Sequence, residues 1–216
     1  MKYLSVIVLL LVINLSSYNL HAQDDIEGKY SIQIDYGISN TLHYNQPVNV
    51  SFCEEGCYPE VQKPRIASNL DLEIYWAHNK KNSWKIGVGF SEYRFFEKGL
   101  ASPGDATLLP YESTIELTYI SFNAGFRHMF CPKNNICPFV ETELIYELSP
   151  GEKIFLKNYG LANKSKIGTI IRISDKWSTT VECFYKTGII NYLKKEFNKT
   201  YVPFGYGIQL GIEMKL

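Results

Sequence analysis

The chain has no surplus of charge of either sign: 22 Lys+Arg stand against 22 Asp+Glu in 216 residues. A balanced chain carries no net field to draw it onto nucleic acid or toward an acidic partner, which removes nucleic-acid binding from the leading readings. It also has no apolar run long enough to cross a bilayer as a helix, since about 20 residues are needed and Val6–Ile13 falls well short. A mean hydropathy of -0.14 makes the whole too polar for a helical membrane protein. No stretch carries a convincing helical stripe, and no cofactor is expected. Histidine is scarce as well, with four in all and only His128 on a predicted strand.

What is present begins with the first residues. Lys2, the apolar run Val6–Ile13, the polar Asn14, Ser16, Ser17 and Asn19, and Ala22 before Gln23-Asp24-Asp25 have the layout of a secretory signal peptide. Cleavage after Ala22 is expected, leaving 23–216 as one domain. No cysteine lies near the cut, so a lipid-modified N-terminus is not expected.

Aromatic residues are plentiful, at 14% with 16 Tyr. They suit a β-protein whose apolar residues are spaced by polar ones. Alternation with a period near two runs through eight segments, approximately 30–42, 66–77, 83–96, 113–130, 138–148, 158–173, 177–190 and 202–216. The last shows the pattern well: Val202, Phe204, Tyr206, Ile208, Leu210, Ile212, Met214 and Leu216 alternate with Pro203, Gly205, Gly207, Gln209, Gly211, Glu213 and Lys215. Short links at 78–82, 131–137 and 174–176 take turns with long ones at 43–65, 97–112, 149–157 and 191–201. In an up-and-down arrangement the short turns then gather at one end and the long loops at the other, as in outer-membrane barrels. Trp76, Trp84 and Trp177 all lie beside short turns, where an interface girdle is expected because indole favours the headgroup level. Tyr36, Tyr93, Phe95, Tyr119, Tyr146, Tyr185 and Phe204 are candidates for a second girdle at the long-loop end.

With the signal peptide, the eight segments, the stretch "YISFNAGFRHMF" followed by "PFVETELIY" and the terminal strand, the chain resembles the small eight-stranded outer-membrane β-barrel proteins of Gram-negative bacteria, the OmpA-like or porin-family barrels. Leu216 departs from the aromatic on which that class typically ends. The resemblance implies an all-β fold, an eight-stranded antiparallel up-and-down transmembrane β-barrel in the outer membrane, with outer-membrane lipid as its surroundings.

Strand parity then sends a second set of residues to the lumen: Glu73, Lys85, Arg127, Glu141, Glu143, Lys166, Arg172, Glu182, Lys186, Glu213 and Lys215. A barrel of this size is filled by side chains, and opposite charges in a dry interior must pair. The expectation is a structural plug. "CEEGC" at Cys53–Cys57 and "CPKNNIC" at Cys131–Cys137 are candidates for two small disulfide loops in an oxidising compartment. A metal site at Cys53 and Cys57 with Glu54 or Glu55 is the sharper alternative. Cys183 falls on the apolar face as a small hydrophobe.

Three functions compete at this point. A structural or surface-loop-displaying barrel, acting in adhesion or interaction with an extracellular partner, needs no catalytic site. A lipid-modifying barrel enzyme needs a serine, histidine and acid together, and His128 has no matching serine, so no enzymatic activity is expected. A soluble lipocalin-like carrier of a small apolar ligand, echoed weakly by Gly28–Tyr30, requires the apolar face to point inward. Alternation alone does not say which face is which.

Overall fold

The computed structural model describes residues 30–44, 57–101, 109–150, 158–190, 192 and 202–216. The proposed signal segment 1–22 and Cys53 lie outside them, as does the side chain of Cys57.

Among the described residues nine strands form: β1 (Tyr30–Tyr44), β2 (Cys57–Pro64), β3 (Ile66–Ala77), β4 (Asn82–Ala101), β5 (Leu109–Met129), β6 (Ile136–Leu148), β7 (Tyr159–Arg172), β8 (Trp177–Gly188) and β9 (Val202–Lys215). Eight of them close a barrel. The ladder runs β4-β3-β1-β9-β8-β7-β6-β5 and returns through β4–β5, every pair antiparallel. Closure leaves no unpaired edge in this part of the wall, which is what a bilayer demands of a β-structure.

β2 corrects the expectation that 43–65 is entirely loop, and the reach of β4 and β5 corrects the same expectation for 97–112. β2 continues the line of β3 upward beside β4, from Pro64 opposite Phe95 to Cys57 opposite Ala101, with a register shift between Pro59 and Val61. The Arg65 amide donates to the Arg94 carbonyl at 3.0 Å and carries the ladder across the break. Pro59 and Pro64 and the shift hide this strand from a periodicity reading; an edge strand tolerates them because one row of its amides needs no partner. β4 and β5 stay paired as far as Ala101 and Leu109. At ~3.3 Å per residue, the 20-residue β4 is about 66 Å long, while a membrane crossing needs only about 9–11 residues. β2 and the upper halves of β4 and β5 therefore form a three-stranded ledge above the barrel.

The apolar face points outward. Ile34, Leu72, Ile86, Phe122, Leu144, Ile167, Val181 and Leu210 give each barrel strand a large hydrophobic side chain on the exterior. On β9, Leu210 is 57% exposed while its neighbour Gln209 is 0% exposed. This is the inverse of a lipocalin, and it excludes an apolar ligand lumen. The soluble-carrier alternative is set aside on that ground.

At the short-turn end, Phe126, Trp84, Trp76 and Tyr30 are consecutive cross-strand partners over β5, β4, β3 and β1, and Trp177 faces Met214 across β8 and β9. Trp84 stands edge-on to Phe126, with ring centroids 5.1 Å apart. Two residues assigned above to the outer girdle turn inward instead: Tyr93 and Tyr119 are buried and stack edge-on at 5.7 Å. Tyr93 shares its parity with Lys85 and Tyr119 shares its own with Arg127, so the strand period itself sends them to the lumen. The side chain of Phe95 lies outside the described residues.

Candidate functional site in the barrel lumen

Small and polar residues at every second position leave the lumen to long charged side chains. Among the described residues seven carboxylates are buried there (Asp35, Asp71, Glu73, Glu141, Glu143, Glu147 and Glu182), against five cations: Lys85, Arg127, Lys164, Lys166 and Lys186. Glu213 joins them half-buried at the short-turn end.

Lys85 forms the centre. Its Nζ lies 2.6 Å from Glu73 Oε1 and 2.6 Å from Glu141 Oε1, and it also pairs with Glu143. Two of its N–H groups donate to Glu73 and Glu141, and Glu143 is held beside them by charge. Oxygens of these same three acids lie within 4.8 Å of one another, a spacing that could hold a metal ion. The ammonium takes that place. Lys166, the cross-strand partner of Glu141, carries the cluster on toward β8, 3.0 Å from Glu141 and 3.5 Å from Glu182.

Toward the short-turn end, Arg127 uses its whole fork. Nε donates to Glu141 at 2.8 Å, Nη1 to Glu213 at 3.2 Å, and Nη2 to Gln33 Oε1 at 3.0 Å and to the Tyr75 hydroxyl at 2.6 Å. Its guanidinium lies over the rings of Tyr75 (3.9 Å) and Phe139 (4.5 Å). Planar stacking combined with several directed donors is what an arginine offers and a lysine does not. Ser31 donates to the other Glu213 oxygen at 2.6 Å.

At the long-loop end, Glu147 gathers Lys186 Nζ (2.6 Å), the Tyr93 hydroxyl (2.9 Å) and the Tyr192 hydroxyl (2.6 Å). Tyr192 follows β8 and enters the barrel from above to stack on Tyr119 at 6.1 Å. It fits because residue 160 is glycine: a Cβ there would overlap the Tyr192 ring. The mouth keeps only a small cleft between Ser39, Asn69, Ser91, Tyr93, Lys186 and Gly205.

The residues assigned to the lumen by parity mostly meet there: Glu73, Lys85, Arg127, Glu141, Glu143 and Glu182 are one connected network, with Glu213 at its edge. Arg172 does not join it. It is the last residue of β7, below the lumen, and donates to the Pro132 carbonyl of a turn. Asp35, Asp71, Lys164, Glu147 and Tyr192 were not singled out from the sequence. The first four carry the inward parity of their strands, whereas nothing in the loop sequence marks Tyr192.

The disulfide expected between Cys131 and Cys137 is not formed. Both are free, and Cys137 is buried beside Phe139 and Ile170, its sulfur accepting the Cys131 amide at 3.3 Å. Cys183 is exposed on the outer face. His128 Nδ1 lies 2.7 Å from Asn82 Oδ1, at the short-turn end.

A closed eight-stranded antiparallel barrel, apolar outside and filled by polar side chains inside, is the fold of the small outer-membrane β-barrels. Comparison with solved structures places this chain in that fold. It is similar to Neisserial surface protein A (NspA), with a TM-score of 0.54 at 10% identity over 89% of this chain and 100% of that one. OprG from Pseudomonas aeruginosa aligns with a TM-score of 0.48 at 10% identity, over 89% and 100% of the two chains. Ail, the attachment invasion locus protein of Yersinia pestis, solved with the heparin analogue sucrose octasulfate, aligns at 0.41 and 13% identity, over 88% and 100%. No protein-family model and no curated protein matches the sequence.

Proposed function

We propose that this protein is a structural barrel of the bacterial outer membrane whose work is to display its long-loop end to the outside, and that it neither conducts solutes nor catalyses a reaction. The observation that carries this reading is the lumen: a three-carboxylate cage around Lys85, a stacked Arg127 below and a Tyr192–Glu147 contact above fill the space a solute would need. A side-chain-filled interior is the ordinary state of an eight-stranded barrel. The ledge of β2, β4 and β5 supplies the surface an extracellular partner would meet, and the band of exposed aliphatic side chains supplies the face for lipid. Trp76, Trp84 and Trp177 belong at the periplasmic headgroup level in this orientation.

Two measurements test it. Fractionated cells should retain the mature protein in the outer membrane with heat-modifiable migration on a gel, and recovery from the soluble periplasm would sink the membrane reading. In planar bilayers the purified barrel should give no stable conductance steps; uniform, frequent openings would overturn the plug.

A further inference from the structure

The surplus of carboxylates in the lumen has an address. Glu73, Glu141 and Glu143 share Lys85, Glu182 lies near Lys166, Glu147 holds Lys186, and Asp71 pairs with Lys164 at 3.1 Å. Asp35 makes no direct ion pair among the described residues, although it is 0% exposed. Its Oδ1 accepts from Gln33 Nε2 at 2.6 Å, and its Oδ2 has no donor among the described residues. Across the β1–β3 ladder it stands directly opposite another acid, Asp71, a placement that like charges disfavour.

A second orphan lies on the neighbouring strand. Gln209 directs its Nε2 to Asp71 Oδ2 at 3.2 Å, and its Oε1 has no donor among the described residues. Asp35 faces Gly211 and Gln209 faces Gly37 across β1 and β9, so the two side chains are diagonal neighbours on the inward face, each opposite a residue without a side chain. A Cβ on Gly211 would overlap both Asp35 Oδ1 and Thr180 Oγ1; the glycine leaves this space to oxygen atoms. Gln33 Nε2 is the shared donor here, reaching Asp35 Oδ1, Thr180 Oγ1 (3.3 Å) and Glu182 Oε1 (3.2 Å). Two amide protons cannot satisfy three acceptors.

We propose that Asp35, Thr180 and Gln209 form a site for one monovalent metal cation of the sodium class. Carboxylate, hydroxyl and amide-carbonyl oxygens are hard donors suited to a hard cation. One unpaired carboxylate supplies one negative charge, which favours a single positive charge over a divalent ion. The site is structural: it neutralises a carboxylate that makes no direct ion pair among the described residues.

The test is to refold the full mature chain into phosphatidylcholine vesicles in sodium chloride or in choline chloride at equal ionic strength, and to measure the denaturant midpoint of each. A ligand that binds only the folded state raises stability with concentration. Sodium should therefore raise the midpoint progressively while choline, too large for the lumen, should not. Thr180→Val should shift the sodium response to several-fold higher concentration, and Asp35→Asn should abolish it. Equal wild-type midpoints in the two salts would overturn the site, as would a response to calcium but not sodium, or one that survives Asp35→Asn. Should that variant fail to fold, the wild-type comparison and Thr180→Val decide the matter.

Discussion

Lys85 and Lys98 lie on the same strand, each held by glutamate, in opposite physical situations. Lys85 is inside the barrel, its side chain and those of Glu73, Glu141 and Glu143 all at 0% exposure. Lys98 is on the ledge, 2.9 Å from Glu112, with the two side chains 50% and 59% exposed. The lower ion pairs replace hydration that the lumen cannot provide, so removing one partner leaves the others as bare buried charges. The upper pair competes with water on both sides. β4 thus passes from a region where charge is structural to one where it is solvated decoration, and the boundary lies near Glu92, whose partner Arg94 at 3.2 Å is already partly exposed.

The largest expected effect is at the buried end. Lys85→Met should destabilise the refolded barrel by about 3–5 kcal/mol, the range for breaking a buried charge network by removing one member. Adding Glu141→Gln should recover part of that loss by removing one of the stranded carboxylates. Urea unfolding from vesicles checks both. A loss below about 1 kcal/mol for Lys85→Met would mean that water already solvates the cage.

The same contrast holds on the outer face. Leu210→Arg should cost about 2–4 kcal/mol, as for an arginine facing lipid at mid-depth. Thr114→Arg, also outward but on the ledge opposite Phe96, should stay within about 0.5 kcal/mol, because exposed substitutions away from special features rarely do more. Gln209→Arg, inward and one residue from Leu210, should be milder than Leu210→Arg, since it enters a lumen rich in carboxylates. Equal costs at 210 and 114 would erase the boundary between membrane and ledge.

Tyr192→Phe probes the junction of the two regions. It removes the hydroxyl that reaches Glu147 at 2.6 Å and keeps the ring on Tyr119. A hydrogen bond to a charged group contributes about 1.5–3 kcal/mol, so the loss should fall below that of Lys85→Met and above any ledge substitution. Conductance should stay absent, because the ring still fills the mouth; channel recordings beside the unfolding curve check both points.

Much of this contrast was legible in the sequence because strand period and parity are strict. Once Glu73, Lys85, Glu141 and Glu182 fall on alternate positions of separate strands, closure of the sheet brings them together without further instruction. Which face met lipid was not contained in that parity, since a lipocalin shows the same alternation inverted; the sorting of short and long links and the tryptophans pointed the right way. The ledge was hidden for a local reason. β2 carries Pro59, Pro64 and a register shift, and it exists only because β4 offers it a partner. Asp35 and Asp71 carried the right parity, but that one would find a lysine and the other would not depends on lengths and angles across the lumen. Tyr192 owes its place to Gly160, Tyr119 and Glu147, all distant in sequence.

The smallest expected effect closes the comparison at its upper end. Lys98→Ala removes one partner of an exposed pair, and such pairs contribute about 0–1 kcal/mol after screening and the entropy of two long side chains. The expected loss is therefore below 1 kcal/mol, and it should shrink further in 1 M salt, where the screening length is about 3 Å. Lys85→Met should show no comparable salt dependence, since its partners are sealed from bulk ions. Measuring both variants at low and high salt separates the two mechanisms. If Lys98→Ala costs as much as Lys85→Met, or if the cost of Lys85→Met fades with salt in parallel, then the ledge and the lumen share one electrostatic regime and the division drawn along β4 fails.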